Sequence, residues 1–221
     1  MLWELTVISF VLIVGMDVSN MIKNIIFDLG NVLVAFDYRR FYRSFGYDEA
    51  MVERLAKATA LSPIWNELDR GALSFEEILQ GFVENDPQLE AVIRNIFADV
   101  KELLYQYDYT ISWIEQFKRK GYKVYYLSNF FQKAADDCAK EIEFLQDMDG
   151  GILSYQEKIT KPEPEIYQLL LNRYGLKAEE CVFLDDTEKN ILGAEKEGIH
   201  GILFRNQEQA IEELRRLGVE L

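Results

Sequence analysis

The chain has 221 residues, of which 49% are apolar, and a formal net charge of −14. That length and apolar content allow a packed core and exclude a disordered tail. The acidity excludes nucleic acid as a partner, because an extended phosphate backbone demands clustered Lys and Arg.

Two distant cysteines, Cys138 and Cys181, and a single histidine, His200, leave no material for a disulfide framework, a zinc site or a histidine-based triad. They suit a reducing, cytoplasmic setting. Cys181 reads as a small core residue and His200 as a turn or surface residue between glycines.

In chain order, residues 1–20 hold an uncharged apolar run from Leu5 to Val14. The run falls short of the about 20 residues that span a membrane, and no Lys or Arg precedes it as in a signal peptide. Met21 opens a natural start. The segment therefore reads as an over-extended leader or as an added strand or helix, with a membrane or secretory role as a third reading; no membrane partner is expected.

"NIIFD" is strand-like and ends in Asp28. From 38 to 99 the apolar residues recur at helical spacing, as in "EAMVERLAKATA" and "FEEILQGFVEN", with breaks at Gly46, Ser62-Pro63, Gly71 and Pro87. Ser74 and Glu77 have the spacing of a capping box. This block reads as a small helical bundle. "TISWIEQFKRKG" is an amphipathic helix stopped by Gly121, and "YKVYYLSN" a strand ending in Ser128-Asn129. The same phrase repeats twice: "PEIYQLLLNRYGL" leads to "CVFLDD", and "KNILGAEKEGI" leads to "HGILF". Alternating helix and strand predicts an α/β fold, a Rossmann-like parallel sheet with helices on both faces and the small helical bundle inserted as a cap. The expected division is a leader at 1–20, a core from 21–37 and 100–221, and a cap at 38–99.

In such a sheet Asp28, Ser128-Asn129 and Asp185-Asp186 all emerge at one carboxyl edge. Adjacent carboxylates repel unless a proton or cation intervenes. A hard divalent ion with oxygen ligands relieves that repulsion, and Mg²⁺ suits a site that also meets a phosphate. Lys161, just before Pro162, lies in the loop leading into a helix and is by itself as well read as a solvated lysine.

The ordered segments "FDLGNVLV", "YLSN", "KPEPEIY" and "FLDDTEKNILGA" resemble the haloacid dehalogenase-like superfamily, from about Lys23 to Arg205. Their form is most similar to the subfamily of bacterial sugar-1-phosphate phosphatases and the N-terminal phosphatase domain of soluble epoxide hydrolases. The resemblance implies a phosphatase acting on a small phosphorylated metabolite, with Asp28 as nucleophile forming an aspartyl-phosphate. It implies that Ser128 and Asn129 hold phosphate oxygens and that Lys161 neutralises the phosphate. It further implies that Mg²⁺ is bound by Asp28, the Gly30 carbonyl and Asp186, with Asp185 and Asn190 supporting that shell.

One position departs from the pattern. Most phosphatases of the superfamily place a second Asp two residues after the nucleophile, to protonate the leaving oxygen; here Gly30 stands there. Asp37 is a weak substitute. Anomeric sugar phosphates and acyl phosphates, whose leaving groups need less acid assistance, are the substrates that this departure suggests. Phe36, Tyr42, Trp65, Asn66 and Arg70 are possible pocket residues. Two other readings stay open: a 2-haloacid dehalogenase, in which Asp28 attacks carbon and the paired Asp185-Asp186 has no purpose, and a catalytically weak phospho-ligand binder.

Overall fold

The computed structural model describes residues 21–221; the leader expected at 1–20 lies outside the described residues. Among the described residues there are seven strands: β1 (Asn24–Phe27), β2 (Val34–Phe36), β3 (Leu104–Gln106), β4 (Lys123–Ser128), β5 (Gly150–Leu153), β6 (Cys181–Asp185) and β7 (His200–Leu203). Five of them form a parallel sheet in the order β5-β4-β1-β6-β7.

The uninterrupted apolar runs follow from burial on both faces of this sheet. Successive side chains point to opposite sides. Ile25 and Phe27 of β1 and Val182 and Leu184 of β6 join one core. Ile26, Cys181 and Phe183 join the other. The larger core is anchored by Trp113, packed 5.0 Å from Phe27 between ring centroids. Cys181 is wholly buried, as expected, and His200 is exposed at the start of β7.

From β1 the chain winds outward through β4 and β5, then crosses to β6 and winds the other way to β7. The strand order therefore reverses between β1 and β6, and the crevice beyond their carboxyl ends is where a ligand finds room in an open parallel sheet. Asp28 follows β1 and Asp185-Asp186 closes β6.

The helical block lies between β2 and β3. Its helices are Tyr38–Ser44, Glu49–Ala58, Ile64–Arg70, Phe75–Asn85 and Glu90–Ile96. The breaks fall where the sequence places them. Gly71 caps a helix in the left-handed conformation, Pro87 opens a 3-10 turn, and the Ser74–Glu77 capping box forms in full. The sequence reading missed β2 and β3. These three-residue strands pair antiparallel, Val34 with Gln106 and Phe36 with Leu104, and together form the stalk on which the helical insert stands.

Candidate active site

Asp28 is held at the tip of β1 by the adjacent strand β6 and by the residue that follows it. Its backbone N–H donates to the Leu184 carbonyl at 2.8 Å, and its Oδ1 accepts from the Leu29 N–H at 2.8 Å. Lys161 is 2% exposed. Its ammonium stands 2.9 Å from Asp28 Oδ1 and 2.6 Å from Asp185 Oδ2. A buried cation needs such partners, since desolvating it alone is prohibitive.

Asp185, fully buried, also accepts from Asn190 Nδ2 at both carboxylate oxygens, at 3.1 and 3.0 Å, and from the Thr187 N–H at 2.8 Å. Asn190 thus holds the Asp185 carboxylate in place. Asp186 is exposed toward the crevice and is oriented by Asn31, whose Nδ2 donates to it at 3.0 Å.

Asn31 went unnoticed in the sequence. It adopts φ 57°, a left-handed conformation that Asn tolerates better than most residues. Its Oδ1 also accepts from the Phe36 N–H, tying β2 to Asp186. The Gly30-Asn31 dipeptide is a turn signal that could have disclosed it.

Asp28, Asp185 and Asp186 present carboxylate oxygens that all lie within 4.8 Å of one another. Lys161 contributes one positive charge against three carboxyls. The donor set is all hard oxygen, which fits Mg²⁺ rather than zinc or a soft metal. Asp186 is the member of the trio best exposed to receive the ion.

Burial pushes the Asp28 carboxyl up to about 7, opposed by Lys161 and abetted by Asp185, with a hydrogen bond from Ser128 pulling it down. Burial also works against the Lys161 ammonium, but Asp185 and Asp28 outweigh it and hold the lysine charged.

Ser128 is buried at the end of β4. The Asn129 amide is engaged with the backbone of Lys161: its Nδ2 donates to the Lys161 carbonyl at 3.0 Å and its Oδ1 accepts from the Lys161 N–H at 2.8 Å. It therefore clamps the lysine loop while lining the cavity.

That cavity has a volume of about 220 Å³, with Asp28, Gly30, Asn129, Lys161, Asp186 and Lys189 on its polar side. Phe36, Trp65, Leu104, Phe130 and Phe131 form an apolar wall, with the Trp65 ring centroid 5.6 Å from those of both Phe36, to which it is tilted, and Phe131, which it meets edge-on. Of the five pocket residues expected from sequence, Phe36 and Trp65 line the cavity. Tyr42 is buried in the insert, bonded to Thr59 Oγ1 at 2.6 Å. Asn66 does not line the cavity, and Arg70 pairs with Glu163. Asp37 spends its carboxyl capping a helix, accepting from the Arg40 N–H at 2.9 Å.

Asp69 also lines the cavity, although sequence reasoning passed over it. Burial, and then the nearby Asp28 charge, push its carboxyl up to about 8 against Lys161 and Lys189.

A doubly wound sheet with this carboxylate and lysine cluster at its switch point is the architecture of the haloacid dehalogenase-like hydrolases. The family model described as haloacid dehalogenase-like hydrolase matches residues 22–198, and the chain belongs to that family. It is 32% identical over 184 residues to D-ribitol-5-phosphate phosphatase of Bacteroides thetaiotaomicron, covering 77% of this chain and 86% of that protein. It is 36% identical over 104 residues to mouse acyl-CoA dehydrogenase family member 10. That match takes in 47% of this chain but only 10% of the mouse protein. Among solved structures, a HAD family enzyme from B. thetaiotaomicron in complex with magnesium and inorganic phosphate superposes with a TM-score of 0.64. That likeness has 26% identity and covers 82% of this chain and 93% of the other. The chain is thus a hydrolase, and its most fully covered curated relative among these is a phosphatase.

Proposed function

We propose that the protein is a Mg²⁺-dependent phosphatase of small phosphorylated metabolites that works through an aspartyl-phosphate on Asp28. The observation that carries this reading is the buried Lys161 ammonium bridging Asp28 and Asp185 at 2.9 and 2.6 Å, beside an Asp186 that faces the cavity.

Lys161 opposes the effect of burial on Asp28, holds it in place and offsets phosphoryl charge, which is the main catalytic lever in this chemistry. Asp28 attacks phosphorus, and water later opens the acyl phosphate, so that one hard displacement becomes two easier ones. Ser128 and Asn129 flank the phosphate. Asp28, the Gly30 carbonyl, Asp185 and Asp186 are the groups that would hold Mg²⁺. Bound there, the ion would neutralise charge on the transferring phosphoryl group. The named activities of the relatives support the same reaction class.

The cavity, about 220 Å³, is smaller than the roughly 300–1,000 Å³ of sites for drug-sized ligands. It suits a sugar or polyol phosphate, a sugar 1-phosphate included, stacked on the aromatic wall. The helical insert acts as the cap that keeps bulk water from the acyl phosphate.

Phosphate release from a panel of sugar, polyol, nucleotide and acyl phosphates tests this, with Mg²⁺ or EDTA. Release should require the metal and should fall by more than about 10³-fold in Asp28→Asn, the scale of loss when a nucleophile is removed. Release unaffected by the substitution would overturn the assignment.

A further inference from the structure

Phosphoryl transfer from an alkyl ester expels an alkoxide, which needs a proton, and neither Gly30 nor the helix-capping Asp37 can supply it. The carboxyls that border the cavity, and Asp185 behind them, divide by occupation. Asp28 is bonded to Lys161 and the Leu29 N–H. Asp185 is bonded to Lys161, Asn190 and the Thr187 N–H. Asp186 is bonded to Asn31 and Thr187.

Asp69 differs. It is 8% exposed and lines the same cavity as Asp28. Among the described residues no side-chain hydrogen bond acts on its carboxyl, and only Asp28, Lys161 and Lys189 act on it at a distance. Its backbone, by contrast, is fixed to the core: the Ser154 hydroxyl donates to the Asp69 carbonyl at 2.6 Å. The next residue, Arg70, forms a two-pronged pair with Glu163 at 3.0 and 2.6 Å, in the loop that carries Lys161. An unpartnered carboxyl is thereby held at the cavity that the nucleophile also lines, by a segment anchored on both sides.

We propose that Asp69, delivered by the helical insert, is the general acid and base of this site, which fits the enzyme to unactivated alkyl phosphate monoesters. This rests on the aspartyl-phosphate reading above. In the first step Asp28 Oδ bonds to phosphorus, the phosphorus–oxygen bond of the ester breaks, and the departing oxygen takes the Asp69 proton to leave as the alcohol. In the second, ionised Asp69 accepts a proton from the water that bonds to phosphorus, the bond from phosphorus to Asp28 breaks, and inorganic phosphate leaves with both carboxyls restored. On this reading the glycine at position 30 does not confine the enzyme to activated leaving groups.

The test compares kcat/KM for alkyl, aryl and acyl phosphates in the Mg²⁺-loaded wild type and in Asp69→Asn. In the wild type, alkyl and aryl esters should differ by less than about tenfold, because protonation levels the leaving groups. In Asp69→Asn, alkyl turnover should fall by about 10²- to 10⁴-fold, the usual contribution of a positioned acid, while acyl phosphate turnover should fall far less. A wild-type rate that drops steeply with leaving-group basicity overturns the assignment without any variant having to fold. Equal losses on all substrates, or none, also overturn it, yet leave the phosphatase reading intact so long as the wild type releases phosphate. A wild type that releases phosphate from none of the substrates overturns both.

Discussion

The Asp69 carboxyl combines deep burial with a neighbouring carboxyl, and both conditions favour its protonated form, raising it from 3.8 to about 8. The unfolded chain ionises it near pH 4, so between about pH 4 and 8 the folded state holds a proton that the unfolded state has released. Stability therefore falls as pH rises through that window, by at most about 1.4 kcal/mol per pH unit for this one group. Asp69→Asn removes the penalty. Its stability relative to the wild type should increase steadily from pH 4 to 8 and level off above, in denaturant unfolding with EDTA present; a difference independent of pH would contradict the assigned environment. Asp28, Asp185 and Asp186 were legible in the sequence because each sits at a strand end, whereas Lys161, by itself as well read as a solvated lysine, was singled out by the family resemblance. Asp69 was not legible, since its meaning depends on how a separate helical segment docks, and local periodicity carries no information about docking. The Asn129 amide was legible as a polar strand-end group, but its bonding to the Lys161 backbone is a contact between residues 32 positions apart.

At the scale of elements, the junction between insert and core is made by the helix Ile64–Arg70 against the short helix Ser154–Glu157. Gly71 ends the first with φ 64°, and a Cβ there would lie 2.9 Å from Tyr155 Cβ and 3.1 Å from its backbone. Both the left-handed conformation and the close approach select glycine. Gly71→Ala should therefore destabilise the protein by about 1–3 kcal/mol, the range for strained or overpacked sites, as measured by urea unfolding; a neutral change would show that the junction yields freely. The helices of the insert could be read from their spacing and caps, as Ser74–Glu77 shows. The strands β2 and β3 could not, because three residues are too few to display alternation. β5 escaped for a related reason: "GGIL" begins with two glycines, which weaken any strand signal, and Gly151 is needed because Tyr126 packs where its side chain would stand.

For the molecule as a whole, the net charge of −14 contrasts with a site that must hold an anion. Lys161 and Lys189 border the cavity, so attraction is local and the acidic exterior is compatible with a phosphorylated substrate. Among the described residues, no helix is long and apolar enough to cross a membrane. The parallel sheet was legible because the phrase of helix, stop and buried strand recurs, and that recurrence also placed the polar strand ends on one edge. The order in which strands sit side by side was not, yet that order creates the crevice between β1 and β6. The measurement that bears most directly on the reaction is rapid quenching of the Mg²⁺-loaded enzyme during turnover of a sugar phosphate, followed by peptide mapping by mass spectrometry. A phosphoryl group on the peptide containing Asp28, absent in Asp28→Asn and absent with EDTA, is the expected result. Undiminished steady turnover in Asp28→Asn, with no phosphorylated peptide in the wild type, would contradict a covalent mechanism at this residue.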